Sequence, residues 1–393
     1  MHLRLVRLVY TLLLCCVVCI FAFSATVAAS SVEELINQLQ HSLPTMRQDA
    51  AKQLGALGPA AKDAVPYLTK ALLDSDGYVR EAAAIALGKI GSDAKEAVPA
   101  LIDTLQDNNN ASAVRQNAAR SLGRIGPAAI DAIPSLVDAI HDGDKYVSTW
   151  ATWALGMIGP EARAAVPALA NALQSSDADI RNNAAWSLGQ IGQDAKSAIP
   201  ALVKVLQEDD DLPVRRNAAG SLGRIGPEAR EAVPALINAL RDNDEDVRRY
   251  AAMSLGRIGP EAKDSIAALT KALQDKIALV RIAAAQALMI ISPDTKDALP
   301  ILVKALQDKD ATVRQKAAQA LGDLAPASAA ALPDLIKALS DKDKDVRRLA
   351  AAACGAFGPA AISAVPALEK LLQDKENAVR EATKDALARI NAN

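Results

Sequence analysis

The chain has 393 residues, of which 51% are hydrophobic but only 3% aromatic. Ala, Leu and Val carry most of that apolar content, which disfavours a sandwich or barrel of β-branched and aromatic strands. A formal net charge of -2, from 44 basic and 46 acidic residues, excludes a global basic field for nucleic acid, so any charged partner must be met by a local patch. The 3 histidines (His2, His41 and His141) and the absence of a cysteine cluster leave too few ligands for a zinc or iron centre, and no metal or other cofactor is expected.

At the N-terminus, Arg4 and Arg7 precede an uncharged run from Leu8 to Ala29, closed by the small residues Val27-Ala28-Ala29 before Ser30. This pattern predicts a secretory signal peptide over 1–29, with a signal anchor as the competing reading because the run is long enough to span a bilayer. Cleavage places the protein outside the cytoplasm, in a periplasm, a thylakoid lumen or the extracellular space. Retention makes it membrane-anchored, and only then does a membrane become a partner. Cys15, Cys16 and Cys19 lie in the run without a lipobox, since Leu12-Leu13-Leu14 lacks the required small residue. Cleavage leaves Cys354 as the single cysteine, so no internal disulfide can form, and leaves 42 basic against 46 acidic residues, a formal charge of -4.

From residue 30 to 393 the chain is expected to be one repeat array. Prolines after an Ala-Val-like pair recur at Pro66, Pro99, Pro134, Pro167, Pro200, Pro234, Pro300, Pro333 and Pro366, with Ala267 out of type between the last four, at spacings of 33 to 35 residues. A fixed period of this length marks a solenoid of stacked supersecondary units. In the repeat from Pro234, proline at the first helical position starts an A helix, because its missing N–H has no helical acceptor to lose. The acidic loop Asp242 to Asp246 ends it and caps a B helix predicted over Val247 to Ile258. Gly259-Pro260 stops that helix, the glycine being expected in the left-handed cap conformation. Eleven such helix pairs are counted, the first from Val32 to Ala64, and the fold class is all-α, a right-handed α-solenoid with a 33-residue period.

The segment Val-Arg-x-x-Ala-Ala-x-x-Leu-Gly-x-Ile-Gly, at 79–91, 114–126, 214–226 and 247–259, resembles HEAT repeats, in particular the short bacterial, phycobilisome-lyase-like kind. The resemblance covers about residues 31 to 391 and implies a binding scaffold, with enzymes only in some branches.

The repeated polar positions have structural explanations. Arg80, Arg115, Arg181, Arg215, Arg248, Arg281, Arg314, Arg347 and Arg380 follow acidic loops and are expected to form an ion-pair ladder along the stack. Gly88, Gly123, Gly156, Gly189, Gly223 and Gly256 interrupt helices, each at about 1 kcal/mol relative to alanine, so close packing should compensate. Asp142 and Asp144 read as caps rather than a calcium loop, which would need a turn glycine and a distal Glu. Asn110-Ala111-Ser112 is a glycosylation sequon that would matter in a eukaryotic secretory pathway.

Function is sought where the repeats differ. Counting the Val of Val-Arg as one, positions four, seven and eleven share a face of the B helix, expected to line a concave groove. Position four carries Asn117, Trp150, Asn183, Asn217 and Tyr250 in repeats three to seven; position seven carries Arg120, Trp153, Trp186 and, after a glycine, Met253; position eleven carries Arg124, Met157, Gln190, Arg224 and Arg257. Tyr146 joins them in the fourth repeat, where Ser148 replaces the ladder arginine. Trp, Tyr, Met and Arg concentrate binding energy in interfaces, so these residues predict a groove for a protein or peptide with its centre at the fourth repeat. No Ser-His-Asp or Cys-His pair can be assembled, and no phosphate loop opens a helix, so catalysis is not expected. The resemblance to bilin lyases implies the alternative, a tetrapyrrole stacked on the tryptophans and paired with arginines, which an exported location disfavours. A resemblance to deoxyhypusine hydroxylases fails for want of a His-Glu dipeptide. A second irregularity lies in the eighth repeat, where Ala267, Met289 and Ile277-Ala278-Leu279 replace the proline, the helix glycine and the acidic loop.

Overall fold

A computed structural model describes residues 32–392; the predicted leader lies outside them. Among the described residues there are helices and turns but no strand, and eleven helix pairs follow one another. The B helices are Pro44–Leu57, Gly77–Ile90, Ser112–Ile125, Lys145–Ile158, Ala178–Ile191, Leu212–Ile225, Glu245–Ile258, Ala278–Ile291, Ala311–Asp323, Lys344–Ala356 and Asn377–Ile390. The chain forms two compact units, one ending at Ser187 and one beginning at Leu188, so the fifth repeat's B helix contributes to both.

Each repeat buries the same positions. Leu87, Leu122 and Leu155 in the first unit, and Leu222, Leu255 and Leu288 in the second, are fully buried at position nine of the B helix. Each contributes about 1.5–3 kcal/mol of burial, and the repetition yields in each unit a core built almost entirely of Ala, Leu, Ile and Val. Alanines at positions five and six, such as Ala118 and Ala119, let neighbouring B helices approach.

The connection from B to A differs from the simple turn expected. Gly259–Ser265 is a seven-residue 3-10 stretch, and equivalents such as Gly126–Ala132 and Gly159–Ala165 recur. The glycine that opens it has positive φ but is not in the left-handed helical region. Gly159 sits at φ 81, ψ -142, which carries the chain sideways rather than around. Side chains with a Cβ essentially do not adopt that region. The B helix also begins earlier than predicted, at Glu245 rather than Val247, because Asp244 is the cap and accepts from the N–H groups of both Asp246 and Val247.

The arginine ladder is present and divides the labour of the Asp-x-Asp loops. Arg47 reaches Asp74 of the next repeat with Nε–Oδ2 at 2.6 Å, Arg248 reaches Asp275 at 2.7 Å and Arg347 reaches Asp374 at 2.7 Å; Arg115 pairs with Asp142 through Nη1 instead. Most ladder arginines also donate to their own loop, as Arg248 Nη1 does to the Asp242 carbonyl at 2.9 Å. The first aspartate therefore ties two repeats together, while the second caps its own helix, as Asp144 does for Tyr146 and Val147. In the third repeat Asn110 takes the aspartate's place and accepts from Arg80 Nε at 2.8 Å. Its amide is buried and donates to the Thr104 carbonyl at 3.2 Å, so the sequon asparagine is closed to a glycan.

One rung has been replaced on both sides. Ser148 stands for the arginine and donates to the Asp142 carbonyl at 3.1 Å, and Ser175 stands for the aspartate that such an arginine would meet. Ser148→Arg with Ser175→Asp should rebuild the rung and raise the first unit's thermal midpoint by more than the two single changes combined, a coupling of about 1 kcal/mol. Additive effects in a double-mutant cycle would show that the two sites do not meet.

Candidate functional site

In the first unit the structure brings part of the predicted face together. Tyr146, Trp150, Trp153 and Met157 project along one side of Lys145–Ile158, at spacings of four, three and four residues. Tyr146 is 54% exposed and Met157 38% exposed, whereas Trp150 and Trp153 are half-buried. The two indoles meet edge to face, with ring centroids 5.4 Å apart, and the guanidinium of Arg120 lies 4.6 Å from the centre of the Trp150 ring. Aromatic pairs and cation–π contacts of this kind hold flexible side chains in one arrangement before a ligand arrives.

The tryptophans at position seven also pack in the stack, a role that competes with an open groove for the same side chains. The Trp153 ring fills the dent over Gly123, where an added Cβ would lie 2.6 Å from its Cζ3, and Trp186 does the same over Gly156 at 2.5 Å. One face of each indole thus belongs to the stack. Trp150 has no such glycine beneath it.

Asn117 leaves the predicted set. It is only 6% exposed, and its Nδ2 donates to the Ala113 carbonyl at 2.9 Å and to Glu81 Oε1 at 3.2 Å. Asn183 is half-buried and its Nδ2 donates to the Thr149 carbonyl at 3.2 Å. The amides at position four therefore stitch adjacent B helices together, a role set by residues about one repeat away. Arg124 is half-buried one turn beyond Arg120.

The second unit holds the remaining predicted residues. Gln190, Asn217, Tyr250 and Met253 are half-buried there, and Arg224 and Arg257 are exposed. Arg249, which sequence reasoning passed over, covers the Tyr250 ring at 4.5 Å and bonds Asp246 at 2.6 Å. Met253 and Arg257 also border a cavity of about 330 Å3 floored by Leu279, Ile282 and Ile290 of the eighth repeat. The signal in the sequence was the altered eighth repeat, where Met289 replaces the helix glycine and borders a separate hollow with Pro293 and Leu299. Elsewhere that glycine lets the next B helix dock, as Gly256 does against Ala287; Met289 is a buried side chain instead, and the B helices of repeats eight and nine pack less closely than their counterparts. The irregular repeat therefore borders a second recess, its apolar floor ringed by Arg249, Arg257, Lys316 and Asp323.

The lone described cysteine, Cys354, is fully buried, and burial pushes its thiol up to about 12, far from a nucleophile's range.

The HEAT-repeats family model matches residues 32–113, 109–171, 166–237, 199–289, 233–322, 280–333 and 332–393. No curated protein matches the chain. Among solved structures, an engineered protein is 27% identical with a TM-score of 0.50, over 92% of this chain and 99% of that one. Kap121p bound to Nup53p is 16% identical with a TM-score of 0.54, over 91% of this chain and 45% of that one. The complex of CpcE and CpcF of phycocyanin lyase from Nostoc sp. is 23% identical with a TM-score of 0.44, over 65% of this chain and 94% of that one. At such identities the Kap121p likeness concerns the fold alone, a stack of helix pairs. With the repeat model spanning the described residues from end to end, the chain belongs to the HEAT-repeat family.

Proposed function

We propose that this protein is a non-catalytic scaffold, exported from the cytoplasm, that holds a protein or peptide on its B-helix face, with the centre at the fourth repeat. The observation that carries the reading is the cluster of Arg120, Trp150 and Trp153, pre-ordered by its own contacts yet open to solvent, with exposed Tyr146 and Met157 alongside. That composition is the one in which interface energy concentrates. Kap121p, a protein of the same fold class, is seen bound to Nup53p, which is consistent with such use of stacked helix pairs. Export rests on the basic, apolar and small-residue order of 1–29. A tetrapyrrole-handling role draws on the same cluster only and gains no observation of its own.

Trp150→Ala is the discriminating variant, because Trp150 lies over no glycine and its loss should leave the stack intact. Wild type and variant of equal helicity would be used to capture partners from the extracytoplasmic fraction of the source cells. The expected result is a partner retained by wild type and weakened at least tenfold by the variant, matching a loss of about 2 kcal/mol. Equal retention would remove the basis for this face. Intact mass of the native protein should begin at Ser30; a chain still carrying Met1 would replace export by anchoring.

A further inference from the structure

The ladder shows how this protein treats an arginine that serves the fold. Arg47, Arg115, Arg248, Arg314 and Arg347 each meet an aspartate of the next repeat, and Arg80 meets an asparagine. Arg120 and Arg124 share the third repeat's B helix with Arg115 but are held in a different way. The Nε of Arg120, like that of Arg115, is buried without a hydrogen-bond partner, but where Arg115 has the carboxylate of Asp142 the guanidinium of Arg120 lies against the Trp150 ring. That contact limits the side chain's rotamers without consuming its N–H donors. Arg124 is pulled below the ordinary arginine value, first by burial and then by repulsion from Arg120. Ser112–Ile125 and Lys145–Ile158 contain neither Asp nor Glu, and the one acid of the preceding B helix, Glu81, accepts from Asn117 rather than from either arginine.

Two like charges, a helical turn apart and partly withdrawn from water, cost stability unless an anion joins them. The chain as a whole is negative, so the patch is a local exception rather than part of a basic surface. Guanidinium forks match carboxylates in pairs, and an indole beside them suits an apolar neighbour of those carboxylates. We propose that Arg120 and Arg124 bind adjacent carboxylate side chains of an acidic segment in a partner protein, with Trp150 and Trp153 taking the apolar residue between them. This rests on the reading of the face as a protein-binding surface and names the chemistry it selects. A long polyanion such as a nucleic acid is disfavoured by the acidic remainder of the chain.

All three tryptophans lie on B helices of the fourth and fifth repeats, so their emission reports on this face. The probe is a peptide with three Glu-Glu-Phe-Glu-Glu blocks, and its control has Gln for every Glu. The acidic peptide should shift tryptophan emission saturably, and more weakly as salt rises from about 0.05 to 0.5 M. Arg120→Gln with Arg124→Gln should weaken it at least tenfold, while Arg163→Gln, an exposed arginine in a turn of the same unit, should leave it unchanged. Arg124→Gln alone should hold or raise the thermal midpoint, where a fold-supporting arginine would lower it.

Equal responses to the acidic and neutral peptides, no response to either, undiminished binding by the double variant, or displacement by inorganic phosphate at matched ionic strength would each overturn the assignment. The two readings fail separately. A native partner lost by Trp150→Ala yet retained by the double arginine variant would sink the acidic segment and leave the protein-binding face standing.

Discussion

Gly223→Ala should lower the stability of the second unit by about 1–3 kcal/mol, while Gly220→Ala, three residues earlier on the same helix, should raise it by about 1 kcal/mol. Both replace glycine by the best helix former, so propensity alone predicts two gains. Packing reverses one of them. A Cβ on Gly223 would lie 2.7 Å from Ser254 Cα and 2.3 Å from its Oγ. The Ser254 hydroxyl cannot turn aside freely, because it is fully buried and donates to the Ala219 carbonyl at 2.7 Å. Backbone would have to separate, and a buried hydrogen bond would be strained with it. A Cβ on Gly220 meets only the Tyr250 ring at 3.6 Å, an ordinary contact. Hydrogen exchange of the sixth and seventh repeats, read with the thermal midpoint, measures both without assuming that the array unfolds as one. Shifts of the same sign would refute the docking role given to the glycine.

Removal of a ladder arginine should cost more. Arg347→Met keeps the aliphatic stem but leaves Asp374 without its partner and the Asp341 carbonyl without its donor, where Arg347 and Asp374 side chains are 10% and 8% exposed. A loss of about 3 kcal/mol at pH 7 is expected. The effect should depend on pH in one direction. The bonds from Arg347 hold the Asp374 carboxyl below its ordinary value, ahead of the opposing effect of burial. A carboxyl depressed in the folded state lends stability above its unfolded pKa, near 3.9, and surrenders it as pH falls through the folded value. Asp244 behaves alike, lowered to about 2 chiefly by its bond from Arg216. The gap between wild type and Arg347→Met should thus be constant from neutral pH to about 5 and narrow between about 4 and 2. A gap that widens on acidification would contradict the ladder as the cause.

The period, the helix pairs, the ladder and the helix glycines could all be read from residues, because each is written nine or more times and obeys local rules of capping and charge. Gly159 shows where local rules stop. A glycine before proline announces the end of a helix, but whether its ψ runs to the left-handed helix or to -142 depends on where the next A helix must lie. The candidate face was legible in composition and only partly in role. Nothing in Asn117 itself says that Glu81, 36 positions back, lies within reach of its amide. Trp153 and Trp186 were conspicuous as large residues, but their glycine footing belongs to the preceding repeat. The unpaired state of Arg120 likewise depends on what neighbouring helices lack.

Met289 carries the same dependence in a form open to construction. A stack of nearly identical layers leaves only small hollows between its B helices, such as one of about 140 Å3 bordered by Gln48, Ile85 and Lys89. Putting a long side chain where other layers have a bare backbone keeps the next layer at a distance, here together with the altered loop Ile277-Ala278-Leu279. A hollow can then be assigned to a chosen layer by its departures from the repeat, and its walls drawn from positions that the layer leaves free to vary. Diversity of ligand in such an array would need no change of architecture, only a choice of which layer is kept from closing.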